Sequence, residues 1–526
     1  MTPRTDWMER WALYAPDSLA LTDAESGRRF CYATCARIVN RCARVLRDDY
    51  GITRGDRVAV LATNEIEYIF LFYATQKIGA LLVPVNFRLT AREIAQILRD
   101  GAPALFVVQR QFDSVAAEAV AIASSEDVSS EDVSTPGADA EVLTRVPRRI
   151  AFDGAGSLTV RMYNEALPDD PVSQDADFDT PVMVLYTSGT TGVPKGAIIT
   201  HGMLFWNSVN TTMRLNIVQQ DVTLTFAPFF HTGGWNVLTT PFLHRGAHVI
   251  LLKRFDPAQV LRLCDEAGVT VLFGVPTMMD RLARCTDFPD VSLRTVRYAI
   301  VGGEPMPAEL IRVWQDKGVP IRQGYGLTEF GPNVFSLNEE DAIRKIGSIG
   351  FPNFYVDTRI VNDAGEDLPP GAVGELLLHG PVCTPGYWNN PEATAATIRD
   401  GWLHTGDLVR RDDEGYHYVV DRKKDMFISG AENVYPAEIE HCLRRHAAVQ
   451  AVAVIGVPDE KWGEVGTAFI VPRPDAVPDA ADILEFCRLN LAKYKIPKYV
   501  VFLDELPVSD SGKILKKQLR AMHDGR

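Results

Sequence analysis

The stretch that decides the fold is Tyr186-Thr-Ser-Gly-Thr-Thr-Gly-Val-Pro-Lys-Gly196. It follows the apolar run 182–186, which is typical of a strand buried on both faces. Glycines let backbone N–H groups approach an anion closely, while the hydroxyl side chains add donors and Lys195 adds positive charge. The P-loop signature has Gly-Lys-Ser/Thr before a helix, whereas here Pro194 precedes the lysine and Gly196 follows it. The stretch therefore predicts a polyphosphate-binding loop of another kind, and a flexible loop without a ligand is the alternative.

The composition is that of a large globular enzyme. The chain has 526 residues, of which 46% are hydrophobic and 23% charged, so several domains are expected. A net charge of −14 repels phosphate backbones and excludes nucleic acid as the main partner, so any anionic ligand must be met by a local basic pocket. The eight cysteines are scattered, without the paired spacing of a metal site, which indicates free thiols in a reducing compartment.

Two features predict where the protein works. The first ten residues carry acidic side chains and no apolar core, so we expect no signal peptide. The most apolar long stretch, residues 66–85, is interrupted by Gln76, Lys77 and Gly79. It favours a buried helix followed by a strand over a membrane span. We therefore predict a cytoplasmic protein without a membrane span.

Short apolar runs recur between amphipathic helical patterns such as 257–267. Runs of this length fit strands of a parallel sheet covered by helices. We predict an α/β body of two related sheets and a smaller β-rich part at about 345–420, where strands such as 374–379 alternate with turn residues. The predicted strands of the body are 58–61, 182–186, 223–226, 248–252, 269–273 and 298–301.

One acidic segment interrupts this pattern. Ser124-Ser-Glu-Asp-Val128 repeats at once as Ser129-Ser-Glu-Asp-Val133, and proline and glycine follow. Low hydrophobicity and negative charge favour a tolerated surface insertion, and a phosphorylated switch is the alternative.

A second domain is predicted at the C-terminal end. After Asp421-Arg-Lys-Lys-Asp425 comes a fresh cycle of helix (436–445) and strands (451–457 and 467–471). About 100 residues with their own alternation of helices and strands suffice for a small domain. We predict domains at 1–421 and 422–526.

The phosphate loop resembles that of the adenylate-forming superfamily, which includes acyl-CoA synthetases, peptide-synthetase adenylation domains and beetle luciferases. The resemblance implies an α/β fold: a large N-terminal domain of two helix-covered sheets plus a small β-barrel-like part, and a small mobile α+β C-terminal domain. It also implies two steps, in which a carboxylate attacks the α-phosphate of MgATP to give an acyl-adenylate, and a thiol then displaces AMP. Further family motifs follow in order as Gly302-Gly-Glu-Pro305, Gln323-Gly-Tyr-Gly-Leu-Thr-Glu329, Trp402-Leu-His-Thr-Gly-Asp407, Asp421-Arg-Lys-Lys-Asp425 and Ser509-Asp-Ser-Gly-Lys-Ile514.

The resemblance implies a role for each nucleotide-site residue. Glu329 is expected to hold Mg²⁺ and Thr328 to contact the α-phosphate, which suits a hard cation and a phosphoryl oxygen. Tyr325 matches the ring that stacks on adenine, although a plain core aromatic remains the alternative. Asp407 and Arg422 match ligands of the ribose. The implied ATP-binding residues are Thr187, Ser188, Gly189, Thr190, Thr191, Gly192, Lys195, Gly303, Glu304, Gln323, Gly324, Tyr325, Gly326, Thr328, Asp407, Arg422 and Lys513.

Three further elements take their roles from the resemblance. Lys513 occupies the position of the catalytic lysine, which neutralises charge between the carboxylate and the α-phosphate. Without the resemblance it would be one of several basic residues on a solvated helix face. Lys424 matches the hinge about which the C-terminal domain rotates between the two steps. The residues that would line the tunnel for CoA are Ser429, Gly430 and Ala431, and a simple turn is the alternative.

The acyl pocket is expected after the motif Pro228-Phe-Phe-His-Thr-Gly-Gly-Trp235. His231 resembles the residue that guards the carboxylate entrance and is counted with Lys513, Thr328 and Glu329 as catalytic. Amino-acid-activating relatives place an aspartate near this point, so histidine argues against an amino-acid substrate. We predict a hydrophobic monocarboxylic acid, either a medium or long fatty acid or an aromatic or polycyclic acid. The expected lining is Phe229, His231, Trp235, Asn236, Thr240, Phe330, Val334 and Phe335.

The predicted function is an AMP-forming acid–thiol ligase that uses ATP, Mg²⁺ and CoA. We expect no appended carrier domain, so free CoA is the expected acceptor. A separate acyl carrier protein is the alternative, and a luciferase-like oxidation or a non-catalytic nucleotide-binding role is remote. A homodimer is left open.

Overall fold

The structure, a computed structural model, describes residues 5–125, 147–172, 176–187, 194–429, 432–474, 476–508 and 514–524. The helices are α1 Trp7–Tyr14, α2 Tyr32–Arg44, α3 Ile66–Lys77, α4 Ala91–Gly101, α5 Asp113–Ser124, α6 Leu158–Met162, α7 His201–Leu215, α8 Thr239–Arg245, α9 Pro257–Glu266, α10 Pro276–Ala283, α11 Ala308–Asp316, α12 Pro391–Thr397, α13 Pro436–Leu443, α14 Ala480–Asn490 and α15 Lys516–Asp524. The strands are β1 Leu19–Asp23, β2 Arg29–Cys31, β3 Arg57–Leu61, β4 Leu81–Pro84, β5 Leu105–Val108, β6 Arg148–Ala151, β7 Pro181–Thr187, β8 Lys195–Thr200, β9 Val222–Thr225, β10 His248–Leu251, β11 Val271–Gly274, β12 Tyr298–Val301, β13 Ile321–Tyr325, β14 Phe335–Ser336, β15 Phe351–Pro352, β16 Asp357–Val361, β17 Val373–His379, β18 Ile398–Arg399, β19 Trp402–Arg411, β20 His417–Arg422, β21 Phe427–Ser429, β22 Glu432–Val434, β23 Val449–Asp459, β24 Gly463–Pro472 and β25 Tyr499–Phe502.

The chain divides into two compact units. The first unit comprises Met1–Asp357 and Leu378–Leu403, and the second comprises Thr358–Leu377 and His404–Arg526. The chain therefore crosses between the units more than once. A single functional division at 421/422 stays a prediction.

The first unit is built around two large sheets. One has nine strands in the order β15-β14-β13-β12-β11-β9-β10-β1-β2, with parallel pairs in its centre and antiparallel pairs at both edges. The other has six strands in the order β6-β5-β3-β4-β7-β8, and only β8 runs antiparallel to its neighbour. Because parallel strands are covered on both faces, most of their residues are apolar, as the sequence predicted.

Helix α3 confirms the interpretation of residues 66–85. All twelve of its residues are buried, and β4 follows it directly. The buried Lys77 ammonium pairs with the carboxylates of Asp6 and Glu9 near helix α1. A buried charge is tolerated when it is paired, so the polar end of this helix becomes an anchor for the N-terminal segment.

The remaining sheets are small. Residues 357–422 contribute a five-stranded sheet in the order β16-β17-β19-β18, with β20 paired to β19. This is the predicted β-rich part. In the second unit the long antiparallel pair β23–β24 is flanked by β21 and β22 and by the parallel strand β25. Helices α13 and α14 and helix α15 bury apolar residues against β23 and β24, which gives the predicted α+β arrangement. The fold class is confirmed.

Most strand predictions agree with the structure to within two residues. One differs more: the predicted run 467–471 belongs to strand β24, which begins at Gly463 because it pairs with β23 along its whole length. Among the described residues, no helix is long and apolar enough to cross a membrane.

We expect deletion of Ser124 to Gly137 to leave turnover unchanged and to shift the melting temperature by no more than about 2 °C, because lengthening or shortening a surface loop changes the closure entropy little. Helix α5 ends at Ser124, and residues 126–146 lie outside the described residues. Thermal unfolding and steady-state turnover of the deleted protein check this. A loss of several degrees would mean that the acidic segment packs against the protein or a partner.

Candidate functional site

The candidate phosphate loop joins two antiparallel strands of the six-stranded sheet. Strand β7 ends at Thr187 and β8 begins at Lys195, and these two residues are opposite each other in the pair. Residues 188–193 lie outside the described residues, so the roles of Ser188, Gly189, Thr190, Thr191 and Gly192 stay predictions. The antiparallel pairing fixes both ends of the loop, and the loop lysine starts the strand that follows.

The ring of Tyr186 fixes the strand pair beside this loop. Its hydroxyl donates to the Asp100 carboxylate at 2.5 Å, and burial raises the pKa of both groups. A side chain at Gly196 would come within 2.6 Å of Val184 and 3.1 Å of the Tyr186 ring. Glycine directly after Lys195 is therefore required by packing.

Glu329 lies in the short 3₁₀ turn Thr328–Phe330 that follows strand β13. One oxygen of its carboxylate accepts a hydrogen bond of 2.8 Å from the Tyr387 hydroxyl, and its backbone carbonyl accepts one of 2.8 Å from the Thr384 amide. Burial, and then the charge of Glu329, raise the pKa of the Cys383 thiol to about 12. The Cys383 thiol therefore stays protonated at neutral pH.

The candidate adenine slot is built on strands β12 and β13. The Gln323 side-chain amide donates to the carbonyls of Val301 and Glu304, and its oxygen accepts from the Met306 amide. Gly303 in the same loop has φ +89°, a left-handed conformation that favours glycine. The buried glutamine thus fixes the loop that contains the predicted residues Gly303 and Glu304.

Tyr325 is half-buried at the end of β13 and meets Phe335 edge-on, with ring centroids 5.8 Å apart. Gly324 and Gly326 flank it, and a side chain at Gly326 would lie 2.0 Å from the Pro332 carbonyl oxygen. The chain can make this close approach only with glycine. The flanking glycines and the contact with Phe335 together position the Tyr325 ring at the end of β13.

The candidate acyl residues are mostly buried. Trp235 is completely buried and stacks on Phe229 at 4.1 Å, and its indole N–H donates to the Phe229 carbonyl at 2.5 Å. It lies in the turn 233–237, which is π-helical, and such turns are frequent at functional sites. His231 is half-buried beside Phe230 just before this turn. Phe330, Val334 and Phe335 are also completely buried.

A network of buried amides joins these acyl residues to the segment after Glu329. The Asn333 amide donates to the Asn236 and Val237 carbonyls, and the Asn207 amide also donates to the Asn236 carbonyl. The Thr240 hydroxyl donates to the Asn236 side-chain oxygen at 3.0 Å. Sequence analysis did not single out Asn207 and Asn333, because an isolated asparagine carries no periodic signal. The network holds the π-helical turn against the candidate metal segment.

The second unit contains the remaining predicted residues. The Asp407 carboxylate is almost completely buried and pairs with the Arg422 guanidinium at 2.6 Å across the β19–β20 pair. Lys424 is exposed after β20, and Ser429 is buried at the end of β21. Gly430, Ala431 and Lys513 lie outside the described residues. The carboxylate–guanidinium pair has the chemistry to bind hydroxyl groups and phosphate.

Comparison with known proteins identifies the family. Residues 8–388 match the model of the AMP-binding enzymes, and residues 438–513 match that of the AMP-binding enzyme C-terminal domain. The chain belongs to the family of AMP-binding enzymes. The predicted membership among adenylate-forming acyl-CoA synthetases, an AMP-forming acid–thiol ligase class, is confirmed, and with it the use of ATP, Mg²⁺ and CoA.

Relatives cover almost the whole chain. A feruloyl-CoA synthase of an Amycolatopsis species is 40% identical over 515 residues, which are 98% of each chain. An indoleacetate–CoA ligase of Aromatoleum aromaticum and a long-chain-fatty-acid–CoA ligase of Mycobacterium tuberculosis are each 37% identical, again over 98% of each chain. The ATP-bound crystal structure of MatB from Rhodopseudomonas palustris superposes with a TM-score of 0.87 at 32% identity and 99% coverage of each chain.

The residues of this AMP-binding enzyme fit a magnesium ion that arrives with the nucleotide. Among the described residues no group of three or more His, Cys, Asp and Glu side chains could hold a metal by itself. Mg²⁺ is typically bound by one or two carboxylates together with substrate phosphates. A carboxylate has about four acceptor positions, so Glu329 retains capacity for the ion while it accepts from Tyr387.

Tyr387 is a further residue of the site that sequence analysis missed. It lies 58 positions after Glu329, and neither the spacing nor the surrounding Gly386-Tyr387-Trp388 links it to a carboxylate. The glycine and aromatic residues of this stretch signal a turn with a packed ring. Only the fold brings the phenol to the carboxylate.

Proposed function

We propose that this enzyme is an ATP-dependent CoA ligase for a hydrophobic monocarboxylic acid, and that the acid is aromatic. The observation that carries the choice is the packing beside His231. Trp235 stacks on Phe229 and also lies against Tyr68 and Phe72, with ring centroids 5.7 and 4.7 Å away. Because protein interiors are close-packed, a long alkyl chain would displace many more of these buried groups than a compact ring would.

The charge of the candidate lining favours a single carboxylate. The predicted acyl residues are aromatic, aliphatic or neutral and polar apart from His231, and none is a lysine or arginine. A second carboxylate buried there would have no cationic partner, which is costly. The relatives named for ferulate and indoleacetate act on aromatic acids by name, and the mycobacterial relative makes a fatty acid the second candidate.

The proposed reaction has two displacements. A carboxylate oxygen attacks the α-phosphorus of ATP and pyrophosphate leaves; the CoA sulfur then attacks the acyl carbon, loses its proton to solvent, and AMP leaves. Mg²⁺, when bound, would neutralise charge on the phosphates. Lys195 and Lys513 supply positive charge where two anions meet, and Thr328 supplies a hydroxyl donor. Asp407 accepts from the ribose hydroxyls.

A panel of acids tests the substrate class. The purified protein is incubated with ATP, Mg²⁺, CoA and, in turn, ferulate, indoleacetate, benzoate, octanoate, palmitate and succinate, and thioesters are measured by mass spectrometry. We expect AMP and pyrophosphate as products, and kcat/KM for the best aromatic acid about tenfold or more above that for palmitate. Highest activity with palmitate would overturn the aromatic choice, and ADP as the main product would overturn the reaction itself.

The same experiment separates the acceptors. Adenylate formation without a CoA thioester would indicate a carrier protein as the thiol acceptor. Added carrier protein should then give the thioester. Neither adenylate nor thioester with any acid would indicate a non-catalytic nucleotide-binding protein. We propose a cytoplasmic location as well, since all eight cysteines are free thiols, as a reducing compartment keeps them.

A further inference from the structure

The segment 384–388 connects the candidate metal carboxylate to the strand that follows the phosphate loop. The Thr384 hydroxyl donates to the Ile198 carbonyl at 2.7 Å, and the Ile198 and Trp388 amides complete a short backbone ladder along β8. The Thr384 amide also donates to the Glu329 carbonyl. Strand β8 is at the edge of its sheet, so this segment covers the edge and ties it to Glu329.

Tyr387 contacts both charged groups with one side chain. Its hydroxyl donates to the Glu329 carboxylate at 2.8 Å, and the Lys195 ammonium lies 5.4 Å from its ring centroid. A cation at this distance from an aromatic face is attracted to it. The phenol is thus a donor to the negative group, while its ring is a surface for the positive one.

The position of the Tyr387 backbone is itself fixed. Its amide donates to the Thr394 hydroxyl at 2.9 Å, and the residue forms an isolated bridge with Ala197 of β8. Burial, and then the charge of Glu329, raise the pKa of the Tyr387 phenol well above its usual value, so the group remains a donor at every physiological pH. A fixed donor restricts the rotamers of the carboxylate that it contacts.

We propose that Tyr387 is a positioning residue that holds the Glu329 carboxylate in the orientation that binds Mg²⁺. Its ring also sets the position of the Lys195 ammonium relative to that carboxylate. This rests on the proposed function, in which Glu329 binds the ion. Groups that hydrogen-bond to a metal ligand set its orientation, and their loss typically costs 10- to 100-fold in metal affinity. The hydroxyl and the ring have separable tasks: the hydroxyl acts on the metal, and the ring acts on the phosphate-loop lysine.

The test measures metal binding directly. Mn²⁺, detected by electron paramagnetic resonance, is titrated into the protein saturated with a non-cleavable α,β-methylene analogue of ATP. We expect Tyr387→Phe to weaken Mn²⁺ binding about tenfold and to raise the Mg²⁺ concentration for half-maximal velocity by a similar factor. At saturating Mg²⁺ its kcat should remain within about threefold of the original, because the carboxylate itself is retained.

Tyr163→Phe is the matched control. Its hydroxyl also donates to a glutamate, Glu67, at 2.7 Å in the same unit, and burial likewise raises its pKa. It should lose comparable thermal stability without moving the Mn²⁺ affinity. Tyr387→Leu, which removes the ring as well, should raise KM for ATP beyond the value for Tyr387→Phe.

Glu329→Gln distinguishes failure of the inference from failure of the proposed function. If Glu329→Gln weakens Mn²⁺ binding and Tyr387→Phe does not, the positioning role is wrong and the metal role of Glu329 stands. If both variants bind Mn²⁺ as the original protein does, the metal carboxylate is not Glu329. The proposed metal role of Glu329 and the positioning role of Tyr387 are then both wrong. A loss of kcat and melting temperature in Tyr387→Phe at unchanged Mn²⁺ affinity would overturn the inference as a structural effect.

Discussion

Replacing Lys513 by alanine should reduce acyl-adenylate formation by about a hundredfold or more, while thioester formation from pre-made acyl-adenylate remains largely intact. A single preorganised charge at developing negative charge typically contributes 10²- to 10³-fold to the rate. In the first step the carboxylate and the α-phosphate repel each other, so this step needs the ammonium. In the second step a thiol attacks a mixed anhydride, and we propose that Lys513 takes no part in it because it leaves the site with its domain.

The measurement is pyrophosphate exchange beside thioester production from synthetic acyl-adenylate. Lys517→Ala is the matched control, because Lys517 is exposed on helix α15, four positions after Lys513, and its loss removes the same charge. The control should retain both activities. Equal loss of both activities in a folded Lys513→Ala protein would contradict the two-step use of this lysine.

Replacing Gly430 by leucine should have the opposite effect. We expect thioester formation to fall by about a hundredfold, since misplacing a reacting group by about 1 Å can cost this much, and pyrophosphate exchange to remain nearly unchanged. Gly430 follows Ser429, which is buried at the end of β21 and lies opposite both Glu432 and Gly463 in the sheet. Its role in the CoA tunnel is a proposal from the resemblance, in which glycine allows close approach of the pantetheine chain.

Gly430→Ala is the graded control, because it adds one carbon where leucine adds four. Its thioester rate should lie between those of the original protein and the leucine variant, and its exchange rate should match both. A leucine variant that forms thioester normally would place the thiol path elsewhere. Parallel loss of both activities would show that the substitution disturbs the domain and not the tunnel.

The primary sequence determined the architecture to a large extent. Continuous apolar runs such as 58–61 and 298–301 became parallel strands within a residue of their predicted bounds, because a strand covered on both faces can hold few polar side chains. The order and chemistry of the motifs likewise determined the family and the ATP-dependent ligase class. The apolar residues of helix α3 likewise predicted a buried helix, although the fold alone supplies the carboxylate that pairs with its buried Lys77.

Only the tertiary structure decided which groups support the motifs. Tyr387 reaches Glu329 from 58 positions away, and Asn207 and Asn333 meet at the Asn236 carbonyl from helices and turns far apart in sequence. A local pattern reports periodicity, turn chemistry and charge within a few residues. A hydrogen bond between distant residues depends instead on the register and packing of whole elements, so its partners carry no mark in the sequence. The sequence therefore determined the chemistry that this enzyme performs, whereas the fold decided which neighbours hold its residues in place.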